Sequence, residues 1–309
     1  MFKTPVAIFG FNRPGMIKQV FERVREVKPR QLLLVLDGPR VNVPDDLNNC
    51  NQVKEILSQV DWPCEVKRNY SETNMGCKKR IASGISWVFE NVEEAILLED
   101  DCVPAPTFFL YCAELLEYYR DDSRIGMIAG HIANFNKPRT YGSSYYVDRL
   151  AWIWGWATWR RAWEKYDPEM RVWPLMKERE LLTHVFKKRS TVEPFSRFLD
   201  SVFDGKVNTW DAAWSVTFFR ENYLCIHPKQ NLVTNIGFGK DSSHTSGELS
   251  PWANLSTEPM EFPLVHPVSL IPDTGAEQSS FENMWSPSII SKIKRRIKRL
   301  FGDHLTKKD

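Results

Sequence analysis

Two hydrophobic periods alternate along residues 5–130, and that alternation narrows the folds open to the chain. The run "QLLLVLDG" (31–38) is apolar almost without interruption, as a strand covered on both faces must be. "PVAIFGF" (5–11), "CEVKRN" (64–69), "EAILLEDD" (94–101) and "IGMIAG" (125–130) read as further strands. Helical spacing fills the intervals. "GMIKQVFERVREV" (15–27) sets Met16, Val20 and Val24 on one face beside Ile17 and Phe21, after a proline suited to a first turn. Residues 51–60 repeat the pattern through Val53, Ile56, Leu57 and Val60, and residues 78–92 through Ile81, Ile85, Val88 and Phe89. Residues 107–122 read as another helix. Such a chain predicts an α/β fold: a mainly parallel sheet, flanked by helices and joined by right-handed crossovers. Ligands bind outside the carboxyl ends of such strands, so Asn12, Arg13, Asp37 and Glu99–Asp101 are expected on one rim.

Beyond residue 130 the alternation fades. In "SYYVDRLAWIWGWATWRRAW" (144–163), Trp152, Trp154 and Trp156 would share one face of a strand, with Trp159 and Trp163 at i, i+4 on a following helix. Core packing explains such a run; a tryptophan face also stacks on the apolar C–H face of a sugar. Residues 207–228 read as a helix and then a strand, 235–245 as a Gly-Ser loop, and 246–288 as irregular. We expect one domain over residues 1–260, whose first half (1–130) supplies a nucleotide-type sheet and whose second half (131–260) supplies a lid and an acceptor side built onto it. Residues 261–309 are expected to form an extended segment and a C-terminal helix.

"AILLEDDCVP" (95–104) ends an apolar run in Glu99, Asp100 and Asp101. Acids there can meet the positive end of a helix starting near Pro106, which accounts for one carboxylate. Three call for a compensating cation. Mg²⁺ and Mn²⁺ take one or two protein carboxylates and complete their shells with water and substrate phosphates. That suits chemistry in which a diphosphate departs.

"LLEDDCVPAPTFF" resembles the E-D-D form of the D-x-D motif of GT-A glycosyltransferases, and the chain resembles their bacterial family-2-like members over roughly residues 5–250. The resemblance implies a GT-A (Rossmann-like) fold, Asp101 as ligand to Mn²⁺ or Mg²⁺, and Glu99 and Asp100 as ribose or outer-shell residues. "VKRNYSETNMGCKKRIASGISWVF" is similar to the segment in which N-x-G leads into a basic helix. Lys78 and Arg80 would there hold the donor diphosphate, or stand as solvated surface cations. "FNRP" implies a nucleotide contact for Arg13, and "LVLDGPR" a uracil contact for Asp37, which equally reads as a turn aspartate before Gly38.

"TWDAAWSVTFFRENYLCIHP" resembles the catalytic-base segment of N-acetylglucosaminyltransferase I type enzymes, where the pattern is W-D-D-W. Asp211 matches the first acid, and Ala212 stands where those enzymes carry the base. Asp211 is therefore either the general base that takes the acceptor hydroxyl's proton or an N-cap of its helix. Flanking Trp210 and Trp214 would desolvate it and raise its pKa. His244 aligns with a Ser-His of those enzymes, which implies a ligand that completes the metal shell or a contact to the diphosphate, the other reading being an exposed loop histidine; Lys240 in the same loop would clamp phosphate. Gly155-Trp156 resembles an acceptor-side loop, with His131 as a second acceptor contact.

The formal charge of +2, from 41 basic and 39 acidic residues, argues against a nucleic-acid partner. The cysteines form no C-x-x-C pair and suggest no zinc site. The N-terminus lacks signal-peptide architecture, and no apolar run approaches the ~20 residues needed to cross a bilayer. "SPSIISKIKRRIKRLFG" (286–302) is a basic amphipathic segment. It is expected to lie on an anionic membrane, the other readings being a solvated helix or a nucleic-acid arm.

These readings converge on a cytoplasmic enzyme, peripheral on the inner face of the membrane. It would transfer a sugar from a UDP-type nucleoside diphosphate sugar to a glycan or lipid-linked acceptor. The implied stereochemical course is inversion. The rivals are a sugar-1-phosphate nucleotidyltransferase, for which "FGFNRPG" is a poor signature, and a catalytically degenerate scaffold or glycan-binding protein, which Ala212 favours.

Overall fold

The computed structural model describes residues 1–132, 140, 142–238 and 254–286. Its elements run β1 (Val6–Gly10), α1 (Pro14–Val27), β2 (Gln31–Leu36), α2 (Pro44–Ser58), β3 (Glu65–Tyr70), α3 (Cys77–Asn91), β4 (Glu94–Glu99), β5 (Cys102–Pro104), α4 (Pro106–Tyr118) and β6 (Ile125–Ala129). There follow β7 (Tyr145–Asp148), β8 (Trp156–Trp159), α5 (Arg160–Trp163), α6 (Trp173–Glu178), α7 (Leu182–Val185), α8 (Arg189–Phe203), α9 (Asp211–Glu221), β9 (Leu224–Pro228), β10 (Val233–Asn235) and α10 (Thr274–Trp285). Eight strands form one sheet in the order β3-β2-β1-β4-β8-β6-β9-β7. The β3-β2-β1-β4 half is parallel, as is the β6–β9 pair. β8 runs antiparallel between β4 and β6, and β7 runs antiparallel to β9. This is the Rossmann-like α/β fold expected, and strands from both sides of residue 130 belong to the one sheet.

Strand parity distributes the core. Val6, Ile8, Leu32, Leu34, Ile96 and Leu98 pack with Ile17, Phe21 and Leu115 of α1 and α4. Ala7, Phe9, Leu33, Val35, Ala95 and Leu97 pack with Ile85, Val88 and Trp214 of α3 and α9. Both faces are covered, hence the unbroken apolar runs. A third cluster joins α6, α7 and α8 to α9 and α10 through Trp173, Leu182, Phe195, Leu199, Val216 and Phe281.

The structure departs from the sequence expectations in four places. Helix α2 starts at Pro44 rather than near residue 51, with proline and two aspartates in its first turn. Residues 173–203 hold three helices that no pattern had marked. Residues 274–285, expected to be irregular, form α10. Asp273 caps it through the N–H groups of Gly275 and Ala276, Phe281 stacks on Phe186 at 3.6 Å, and buried Glu277 pairs with Arg149. This part of the expected extended segment is thus packed on the domain. Finally, Trp152 and Trp154 precede β8, which carries Trp156 and Trp159, so the tryptophans do not share one strand.

Among the described residues no helix is long and apolar enough to cross a membrane. The basic segment 292–299 lies outside the described residues, as do Lys240 and His244.

Strands β7 and β9 are joined through a fully buried pair, His227 Nε2 to Asp148 Oδ1 at 2.8 Å. Burial alone would lower the imidazole pKa; Asp148 and Cys225 override it and raise the value well above normal. A raised folded-state pKa stabilises fully below the unfolded value, about 6.5, and is lost as pH rises toward the folded value. Urea unfolding of the wild type is expected to show a free energy that declines above about pH 6.5, by at most ~1.4 kcal/mol per pH unit. Asp148→Asn is expected to flatten that decline. Equal slopes would show that the pair does not carry it.

Candidate active site

The acidic triplet closes β4 at the carboxyl edge of the parallel half. Glu99 continues the parity of Ala95 and Leu97 and faces α3 and α9; Asp100 continues that of Leu98 and faces α1. At the start of α1, Arg13 is the N-cap residue, its carbonyl accepting from the N–H groups of Met16 and Ile17 at 3.1 Å. Its guanidinium bridges both aspartates: Nε reaches Asp100 Oδ2 at 3.1 Å, Nη2 pairs with Asp100 Oδ1, and Nη1 reaches Asp101 Oδ2 at 2.9 Å. The Asp100 side chain is only 3% exposed and that of Asp101 16%. Arg13 compensates the like charges that the sequence placed side by side, and it shares their rim as expected.

Glu99 and Asp100 titrate high. Burial pushes Glu99 up to about 8, with further push from Asp101, Asp100 and Asp211 against the pull of Arg13. Burial lifts Asp100 to about 6 against Arg13, with Asp101 adding to the rise. Glu99 is therefore largely protonated at neutral pH and can donate a hydrogen bond. Cys77, the first residue of α3, feels the same field: burial, then Glu99 and Asp211, raise its thiol pKa. Nothing in the sequence marked Cys77 as part of this cluster.

Two backbone features fix the rim. β5, directly after the triplet, pairs antiparallel with β10, Asn235 opposite Cys102. That brings the next residues back over the site: Ile236 N–H donates to the Asp101 carbonyl at 2.9 Å, and a Cβ at Gly237 would collide with the Asp101 carboxylate. Gly76, at φ 79° before α3, occupies the left-handed region, and a side chain there would press on Asn208. Asn208 Oδ1 accepts from Lys78 N–H at 3.1 Å, tying the approach to α9 to the first turn of α3.

Asp211 opens α9 and accepts a hydrogen bond from Thr209 Oγ1. The N-cap is Trp210, so the capping reading of Asp211 does not hold. The side chain is half-buried and shares the electrostatic field of Glu99 and Cys77.

Other expected contacts are placed differently. Arg80 is buried, its guanidinium spent on the carbonyls of Leu36 and Asn69 and on the Asn69 side chain, so it holds the ends of β2 and β3 together rather than facing a diphosphate. Asp37 is 6% exposed and accepts from the N–H groups of Gly38, Met75 and Gly76 and from Asn74 Nδ2. The turn reading applies, extended to the loop that precedes α3. Trp156 is 2% exposed and stacks on Trp210 at 5.8 Å, which leaves no face for a sugar. His131 is fully buried with its ring against Trp154 at 4.6 Å, and burial lowers its pKa to about 4. Lys78 is half-buried and, with Lys79, Arg160 and Asn208, lines a groove of about 830 Å³ running along α3 and α5.

Among the described residues no three histidine, cysteine or acidic side chains converge as a closed metal cage. A cation completed by substrate phosphates needs less. Asp101 is partly exposed at the rim, with a weak Cys102 thiol contact at 3.5 Å on Oδ1, whereas both oxygens of its neighbour Asp100 are taken by Arg13.

No protein-family model matches the chain, and no curated protein sequence matches it. Among solved structures, a 4-diphosphocytidyl-2C-methyl-D-erythritol synthase from Anaerococcus prevotii is similar at 13% identity and a TM-score of 0.34, over 53% of this chain and 75% of that one. The galactosyltransferase LgtC, in complex with donor and acceptor sugar analogues, is similar at 8% identity and a TM-score of 0.36, over 70% of each chain. HddC from Yersinia pseudotuberculosis, complexed with GMP-PN, is similar at 9% identity and a TM-score of 0.32, over 51% of this chain and 77% of that one. Likenesses this distant select neither a reaction nor a substrate.

Arg13→Gln leaves Asp100 buried without its counter-charge. A loss of about 3–5 kcal/mol in urea-unfolding free energy is expected, with partial recovery when Asp100→Asn is added. Strict additivity of the two substitutions would show that the pair is not coupled.

Proposed function

We propose that this chain is a glycosyltransferase that moves a sugar from a nucleoside diphosphate sugar, UDP-based, to a glycan or lipid-linked saccharide acceptor. One observation carries the reading: β4 ends with a charge-compensated aspartate pair on one side and, on the other, Glu99 within the field of Asp211. Such a division would suit a leaving diphosphate on one side and an incoming hydroxyl on the other.

Two ionised aspartates against one guanidinium leave net negative charge at the rim, which attracts a divalent ion. Asp101 would hold Mn²⁺ or Mg²⁺, with Asp100, both of whose oxygens Arg13 engages, in the outer shell; the ion's charge would offset that developing on the diphosphate. Lys78, at the first turn of α3, adds positive charge beside the positive end of that helix. Glu99 orients a donor hydroxyl by hydrogen bonding. Asp211 accepts the proton of the acceptor hydroxyl as its oxygen bonds to the anomeric carbon; the bond from that carbon to the diphosphate breaks, and its electron pair leaves on the diphosphate oxygen. Attack opposite the leaving group inverts the anomeric centre.

We further propose that the basic segment 292–299 holds the enzyme on an anionic membrane surface, at the cytoplasmic face, where lipid-linked acceptors are presented.

Thermal unfolding in the presence of nucleotides, with and without Mn²⁺, tests the donor site. A ligand at ~100 times its Kd adds ~2.7 kcal/mol of stability. A uridine diphosphate sugar is expected to stabilise the wild type only with metal, and Asp101→Ala is expected to lose the effect. Stabilisation by nucleoside triphosphates alone would instead favour the nucleotidyltransferase reading, and no nucleotide response at all the scaffold. Asp211→Asn is expected to keep the donor response and to lower sugar transfer, measured as UDP released in the presence of acceptor, by ~10²–10⁴-fold. Undiminished transfer would move the base elsewhere.

A further inference from the structure

A second cavity lies on the α9 side of the cluster, between the loop 150–154, α8, α9 and α10. Its volume is about 130 Å³. Its walls are aromatic: Trp152 and Trp154 from the loop, Phe195 and Phe198 from α8, and Trp285 from the end of α10. Phe195 and Phe198 lie 4.9 and 5.2 Å from Trp285, so the three rings form one surface. Trp154, Phe198 and Trp285 are only half-buried. Among the described residues two polar side chains line the cavity, Asp211 and Ser215, which stand one helical turn apart on the same face of α9. No lysine, arginine or histidine among the described residues lines it.

From this geometry we infer that the cavity is the seat of the acceptor, and that it takes one uncharged pyranose ring with a hydroxyl turned toward Asp211. The inference rests on the transferase reading and deepens it by naming the acceptor's chemistry. The volume is close to that of a cavity that holds one bare six-membered ring, and the half-buried Trp154, Phe198 and Trp285 at its edge leave room for the ring's substituents to extend outward. Aromatic faces receive the apolar C–H face of a sugar, while Asp211 and Ser215 receive its hydroxyls. Charge narrows the class: the Asp211 carboxylate, with no cation beside it among the described residues, repels an anionic sugar, whereas neutral hydroxyls donate to it without that penalty. The cavity also gives the third hydrophobic cluster a use. Helices α8 and α10 lie outside the sheet's own two layers, yet they bring Phe195, Phe198 and Trp285 to the residue that opens α9.

Saturation-transfer NMR on the full chain tests this directly. The uncharged probes are methyl β-glucopyranoside, methyl β-galactopyranoside and N-acetylglucosamine; glucuronate and choline are the charged ones. At least one uncharged ring is expected to receive saturation on its C–H protons, and neither charged probe to do so. Trp285→Ala is expected to reduce that transfer by about fivefold, and Trp285→Phe to retain most of it. Should Trp285→Ala fail to melt cooperatively, Phe198→Ala serves in its place. Transfer to glucuronate or to choline (which an aromatic box with a carboxylate would also hold) overturns the assignment. So does the absence of transfer to every uncharged ring, or transfer undiminished in a folded variant. The wild-type nucleotide response separates the two claims. Nucleotide binding without ring binding sinks the cavity assignment alone, and ring binding without nucleotide binding sinks the transferase reading while leaving a glycan site.

Discussion

Asp100 sits at the end of a central strand with its carboxylate almost wholly removed from water, a position that a lone acid could hold only at a cost of several kcal/mol. Arg13 makes it tenable. Because that residue is at once the end of the β1 loop and the N-cap of α1, one guanidinium joins the exits of two neighbouring parallel strands to the first turn of a helix. The same group reaches Asp101 and holds it at the rim. From that anchor the β5–β10 ribbon carries the chain back over the site, where only glycine fits beside the Asp101 carboxylate.

The parity of β4 divides the site in two. Successive residues of an extended strand face opposite sides, so Glu99 and Asp100 serve different faces of one sheet. The α1 face holds the compensated aspartates. The α3 and α9 face holds a carboxyl that burial keeps protonated near neutral pH, a neutral thiol and Asp211. Opposite charge states a few residues apart follow from environment alone, without any difference in intrinsic acidity.

Much of this was legible beforehand. The apolar runs at 5–11, 31–38 and 94–101 marked the parallel strands, because a strand covered on both faces has no polar side to show. The acids after such a run could only lie at the carboxyl edge, and Arg13 after β1 was expected on that same edge. Other residues misled for a shared reason. Arg80, Asp37 and Trp156 are the residue types that ligand sites use, yet each is consumed internally, by carbonyls, by loop N–H groups and by stacked indoles. A sequence shows which groups can bind and says nothing of what already occupies them. The helices α6 and α7 were invisible because they are too short for an apolar period to repeat.

The sequence by itself determined the class of fold and the edge on which the acids lie, since both follow from local periodicity and from the fixed geometry of parallel crossovers. It also determined that three adjacent carboxylates needed compensation. The tertiary structure alone decided that a guanidinium would supply it, and which acid would be buried. Only the folded chain could bring α8 and α10 against Asp211 to form an aromatic cavity, because those contacts join segments whose own patterns carry no record of their partners. Hydrophobic periodicity fixes which face a residue shows, and packing fixes what that face meets.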